Sequence, residues 1–253
     1  MIDISDYNFI LNIWIVCAVF LLPILLLVTV PYGRHTKKSW GLMIGNKLGW
    51  IIMECPALFV FIIFFISGTA EKSFILWVFF CLWTIHYLQR TFLYPFQIKT
   101  KGKKMPIIIM AFAILFNIIN GFFIGYYFGY LTPTYDSSWT GDPRFIFGII
   151  LFIAGMTINW YSDNKLINLR KSEENKYFIP YGGLFKFISC PNFFGEIIEW
   201  FGFVLLTWSW PALAFFIWTL VNLIPRALDH HKWYKKEFSN YPKKRKAVIP
   251  LIL

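Results

Sequence analysis

Apolar residues occur along this chain in long blocks separated by short polar stretches. A helix that crosses a bilayer needs about 20 mostly apolar residues. The blocks predict such helices over 9–30, 48–67, 74–96, 106–130 and 144–161, the last continuing into YSDNKLINLR. Pro23 predicts a kink in the first. The final apolar region, 193–224, is too long for one span, and the aromatic, proline-marked corner Trp208-Ser209-Trp210-Pro211 divides it into two shorter helices. The expected fold is all-α: a polytopic integral membrane protein with about seven transmembrane helices, forming a single membrane domain over 1–253.

Charge tests that count. GRHTKK, KTKGKK and NKLINLRKSEENK follow the first, third and fifth spans, and the chain ends in HHKWYKKEFSNYPKKRK before its last residues. The alternate loops, SGTAEKS and LTPTYDSSWTGDPR, carry little positive charge. The positive-inside bias puts the N-terminus outside and the C-terminus in the cytoplasm, which demands an odd number of spans. Composition agrees, with 58% hydrophobic residues and only 15% charged, the profile of an integral membrane protein. The net charge of +11 is confined between apolar blocks, so nucleic acid is not an expected partner.

Four cysteines, Cys17, Cys55, Cys81 and Cys190, show neither CxxC nor paired spacing. They read as small buried hydrophobes, with no disulfide framework and no metal site. The acidic start MIDISDYN runs into a long apolar block, which does not read as a cleaved signal peptide. Two glycine ladders, Gly41, Gly45 and Gly49, then Gly121, Gly125 and Gly129, are spaced by four. That spacing reads as helix faces that admit a close neighbour. Neither ladder is a phosphate loop.

Ionisable and amide groups inside hydrocarbon need partners, so they carry the chemistry. Glu54 lies about 12 Å inside span two if that helix enters near Asn46, and Tyr87 lies at about the same depth in span three. The pair has two readings: a structural bond that satisfies a buried acid, or two proton donors facing a cavity. Asn159 and Asp163 share a helix face, and Arg170 follows two turns on; alone, these would be a solvated helix end. Asn192 and Glu196 are again four apart, with Glu199 on another face, and Arg226, His230 and Tyr234 form a third stripe. The adjacent His230-His231 pair points about 100° apart, which favours anion binding over zinc. Polar stripes at the cytoplasmic ends of three spans suggest a cavity open to the cytoplasm. Its ligand is a nucleotide cofactor, the nucleoside of S-adenosylmethionine or a polar lipid headgroup.

Several stretches together resemble the steroid 5α-reductases, membrane enzymes that reduce 3-oxo-Δ4-steroids with NADPH. They are YGRHT (32–36), ECP (54–56), HYLQRTFLYP (86–95), GMTINWYSDNKLINLRK (155–171), IPYGGLFKFISCPNFFGEIIEW (179–200) and LIPRALDHHKWYKKEFSNYPKKRKAVIPLIL (223–253). They cover most of the chain in order, and a bacterial or other non-mammalian member is expected. The resemblance implies that Glu54 and Tyr87 hydrogen-bond the steroid 3-oxo group. It implies NADPH contacts at Asn159, Asp163, Arg170, Tyr177, Asn192, Glu196, Arg226, His230 and Tyr234. It further implies substrate-cavity helices in about 1–130 and cofactor-binding helices in about 144–253. Glu199 is then an acid that supports the contacting residues or a structural one. The expected partners are a 3-oxo-Δ4-steroid and membrane lipid, the expected state a monomer, and the expected location a bacterial inner membrane or the endoplasmic reticulum membrane. The chain departs from the family at Met53, where relatives often carry Gln, and at Phe178, where mammalian forms carry Arg; its KTKGKKMP loop is slightly longer. Rival readings are a reductase of another activated alkene (an enoyl-CoA or another sterol), an isoprenylcysteine methyltransferase-like enzyme, and a lipid transporter.

Overall fold

The computed structural model describes residues 2–31, 33–36, 38–98, 102–132, 135–169 and 177–253. The chain is mostly helical. Its long helices are α1 (Ile4–Leu27), α2 (Asn46–Ser67), α3 (Phe74–Leu88), α5 (Ile107–Tyr126), α6 (Pro143–Leu169), α7 (Pro191–Thr207) and α8 (Trp210–Glu237). A π-helical turn, Gln89–Leu93, joins α3 to the short α4 (Tyr94–Gln97), and a second, Tyr127–Leu131, extends α5. Among the described residues five helices are long and apolar enough to cross a membrane: α1, α2, α5 with its π turn, α6 and α8. Their outward faces carry large apolar side chains such as Phe20, 73% exposed, and Phe112, 62% exposed, as surfaces in contact with hydrocarbon would.

Helix ends follow local rules. Ser73 caps α3, its hydroxyl accepting from Leu76 N–H, and prolines open α7 and α8, where a missing N–H costs nothing. The expected corner between the last two helices is present: α7 stops at Thr207, Trp208 turns left-handed at φ 44°, and Pro211 stands in the first turn of α8. Helix α8 does not stop at 224, however. It continues through Pro225 to Glu237, so the stripe Arg226, His230 and Tyr234 lies on its last turns.

By backbone contacts the chain forms two compact units, Met1–Ile13 with Val30–Phe145, and Trp14–Thr29 with Ile146–Leu253. In the first, α5 lies against α2 through Gly121, Gly125 and Gly129. A methyl group at these positions would press on the Pro56, Phe61 and Phe64 carbonyls respectively, so the second glycine ladder is a packing face. The first ladder is not. Gly41 sits at φ +90° ahead of a strand, Gly45 ends that strand, and only Gly49 lies in α2. The strand, β1 (Met43–Gly45), pairs antiparallel with β2 (Lys104–Pro106), a ribbon that the apolar pattern did not predict. Helix α3 packs on α2 through Phe61–Trp83 and Phe65–Trp77 ring contacts. Lys72 closes the far end, its ammonium donating to the Gly68, Ala70 and Gly129 carbonyls.

In the second unit α6 and α7 cross through two glycine pairs. Gly148 and Gly155 meet Gly202 and Gly195, and a methyl group on any of the four would strike the facing backbone. Helices α7 and α8 pack through Trp200 against Phe215 at 4.7 Å. The tail returns beside Phe187–Cys190, with Ser189 and Cys190 N–H donating to the Lys246 and Ala247 carbonyls. Cysteine burial corrects the expectation from sequence. Only Cys190 is buried, while Cys17 and Cys81 are exposed on apolar helix faces.

Candidate active site

Glu54 stands in α2 two residues ahead of Pro56, which removes the N–H that would close the helix onto the Ile52 carbonyl. Tyr87 is near the end of α3, 4% exposed, with its ring 4.9 Å from that of Trp83. Trp83 is wholly buried and donates its indole N–H to the Ala57 carbonyl at 3.0 Å. That bond sets the register. Glu54 is three residues before Ala57, about 4.5 Å along α2, and Tyr87 is four beyond Trp83, about 6 Å along α3. Because the helices run antiparallel, both displacements have the same direction, and the acid and the phenol lie at one level. One turn farther, the Arg90 guanidinium lies over both the Trp50 and the Tyr94 ring, at 4.9 and 4.7 Å, and those two rings touch at 5.2 Å.

A residue absent from the expected set completes this group. Asn117, in α5, donates its side-chain N–H groups to the Met53 carbonyl at 2.6 Å and to Glu54 Oε2 at 3.4 Å. An amide inside an apolar block was the available signal. Its partner, 63 residues away in sequence, was not legible.

The second unit gathers four expected residues. Asn159 donates to the Asn192 carbonyl at 3.0 Å and to Glu196 Oε2 at 3.5 Å, while Asn192 donates to Asp163 Oδ1 at 3.0 Å. The glycine crossing of α6 and α7 brings the stripes within reach, because Gly195 packs against Asn159 N and Gly155 against Glu199 N. Asn159 and Asp163 are both buried. From α8, Arg226 and His230 converge on the Phe193 ring, at 5.8 and 5.7 Å. Tyr177 meets Trp233 edge to face at 5.0 Å, and Tyr234 is buried, stacked on Tyr241 at 5.2 Å. Arg170 lies outside the described residues. An open groove of about 580 Å³, lined by Tyr161, Asn164, Lys165, Asn168 and Leu169, occupies the face of α6 turned away from Asn159 and Asp163. Among the described residues no group of histidine, cysteine and acidic side chains could hold a metal ion.

Sequence reading also missed a buried clasp. Ser189 Oγ bonds His231 Nδ1 at 2.5 Å and the Tyr241 hydroxyl at 2.7 Å, and it donates to the Lys246 carbonyl at 3.1 Å. Burial pushes the Tyr241 phenol up. Arg245 donates to the Pro180 carbonyl at 2.8 Å and lies over the Tyr181 and Tyr241 rings. The clasp ties the tail to the start of α7 and so holds the polar end of that helix in place.

The arrangement is that of a multi-pass helical protein with an acid and a phenol at one level in one unit and a buried amide–carboxylate cluster in the other. Residues 103–253 match the family described as 3-oxo-5-alpha-steroid 4-dehydrogenase. The chain is 41% identical over 232 residues to steroid 5-alpha-reductase DET2 of Arabidopsis thaliana, covering 88% of this chain and 87% of that protein. It is 42% identical over 228 residues to 3-oxo-5-alpha-steroid 4-dehydrogenase 2 of Rattus norvegicus (87% of each chain). To 3-oxo-5-alpha-steroid 4-dehydrogenase 1 of Homo sapiens it is 38% identical over 223 residues, 87% of this chain and 85% of that one. The chain belongs to the steroid 5α-reductase family and is an oxidoreductase.

Proposed function

We propose that this protein reduces the Δ4 double bond of a 3-oxo-Δ4-steroid to the 5α product, with NADPH as hydride source. The observation that carries the reading is the level placement of Glu54 and Tyr87 on facing helices, in a family named for 3-oxo-5-alpha-steroid chemistry. A conjugated enone accepts hydride at C5 only as its carbonyl oxygen takes up negative charge, and a proton at C4 then completes the reduction. Preorganised donors aimed at such an oxygen are worth about 3–4 kcal/mol each. The Tyr87 phenol and the Glu54 carboxyl are assigned that role.

When bound, NADPH supplies the hydride. The donor set fits it. Asn159, Asp163, Asn192 and Glu196 offer amide donors beside carboxylate acceptors, the combination that a carboxamide and ribose hydroxyls require. Arg226 and His230 offer cationic or neutral donors for phosphate oxygens, with Tyr177 and Tyr234 flanking them on sequence grounds. Arg170 is assigned from sequence alone.

The same reading makes the chain a monomeric seven-span protein forming one membrane domain, with its N-terminus outside and its C-terminus in the cytoplasm. Steroid then arrives from lipid and cofactor from the cytoplasm. The test is NADPH consumption by detergent-purified protein given progesterone or testosterone. Glu54→Gln and Tyr87→Phe should each lower kcat by about 10²–10³-fold while NADPH binding is kept. Absence of NADPH binding in every lipid condition would overturn the cofactor assignment. NADPH binding without turnover of any steroid would move the substrate to another activated alkene.

A further inference from the structure

We infer that Asn117 is a positioning residue: its amide fixes which oxygen of Glu54 carries the acid proton. The inference rests on the reading of Glu54 and Tyr87 as the carbonyl-binding pair. The Met53 carbonyl can only accept, so its 2.6 Å contact with Asn117 decides which end of the amide faces α2. The other hydrogen on the same nitrogen points to Glu54 Oε2. An N–H group cannot accept, so Oε2 is held as the acceptor oxygen, and when the acid is neutral its proton is favoured on Oε1, the carbonyl oxygen being the better acceptor.

A carboxyl with its proton on one defined oxygen meets a developing enolate without first reorienting, and preorganisation of that kind is what makes a donor effective. The fold supports the arrangement. Asn117 is one turn ahead of Gly121, whose close approach to the Pro56 carbonyl draws α5 onto α2 just there. Asn117 is 5% exposed, so water does not compete for its hydrogens. Asn120, one turn along, is also buried, but it donates to Phe116 of its own helix.

The experiment is a double-mutant cycle on the full-length protein in detergent, measuring kcat, KM for steroid and for NADPH, and the thermal midpoint. Asn117→Leu should keep NADPH KM and lower kcat on the order of tenfold to a hundredfold. In the Glu54→Gln background the same substitution should change the residual turnover little. If the leucine variant fails to fold, Asn117→Asp replaces it. That side chain has the same shape, and its single proton serves Met53 or Glu54 but not both. Unchanged kcat, or the same loss in both backgrounds, would overturn the inference and leave Asn117 a packing residue. Failure of the parent reading looks different: Glu54→Gln alone would then turn over at the wild-type rate.

Discussion

Arg144 donates Nε–H and Nη2–H to the two oxygens of Asp142 at 2.9 and 2.8 Å and lies over the Trp139 ring. Those side-chain bonds, with the Arg144 backbone N–H, hold the Asp142 carboxyl down at about 2. In the unfolded chain the group titrates near its ordinary value of about 3.9. The pair's contribution is therefore fully present above about pH 4 and is lost as pH falls towards 2. Asp142→Asn should flatten the fall in thermal midpoint across that window, and high salt should do the same. Ser189 makes the opposite kind of contact, buried and shared between His231 and Tyr241. Ser189→Ala leaves both partners short of a bond and should cost about 1–3 kcal/mol, read as a lower denaturation midpoint with the tail more open to protease. Pairs four apart, such as Asn159 with Asp163, were legible from spacing because a helix dictates their common face. Asn117 with Glu54 was not, because nothing in either local stretch names the other.

Helix against helix, glycines decide the spacing. A methyl group at Gly155 would meet the backbone at Glu199 and Gly195, whereas one at Gly45 would meet nothing within 4 Å. Gly155→Ala should lose about 1–3 kcal/mol through overpacking and, by parting α6 from α7, weaken the NADPH binding proposed for that cluster. Gly45→Ala should stay within about 0.5 kcal/mol of wild type. Comparing their melting midpoints in one detergent, with NADPH titrated into each, checks both. The long helices were legible because an apolar block of about 20 residues has few other fates. The β1–β2 ribbon was not, since each strand is three residues long and pairs with a partner about sixty residues away. The spacing of four in Gly41, Gly45 and Gly49 misled for the same reason: periodicity has meaning only where the backbone is helical.

For the whole molecule, the alternation of basic and neutral loops predicts which side each faces. Ser138 and Ser239 are both exposed, one between α5 and α6 and the other beyond α8. In a background with Cys17, Cys55, Cys81 and Cys190 replaced by alanine, Ser138→Cys should react with a membrane-impermeant maleimide on intact cells. Ser239→Cys should react only after lysis. The reverse pattern would invert the topology, and labelling of both from outside would give an even number of spans. Among the described residues, composition and helix length admit five helices to the membrane outright. Helices α3 and α7, of 15 and 17 residues, rest on this count.

The sequence by itself determined the long helices, the Trp208–Pro211 corner, the family and the four-residue pairs within single helices. These follow from contacts between near neighbours and from the solvent that each block requires. Tertiary structure alone decided that Asn117 reaches Glu54, that Asn192 bonds Asp163 and that Ser189 clasps the tail. Each is a directional bond of about 3 Å between distant segments. It exists only where glycines let two backbones approach, or the returning tail sets the register, and no local pattern encodes that distance.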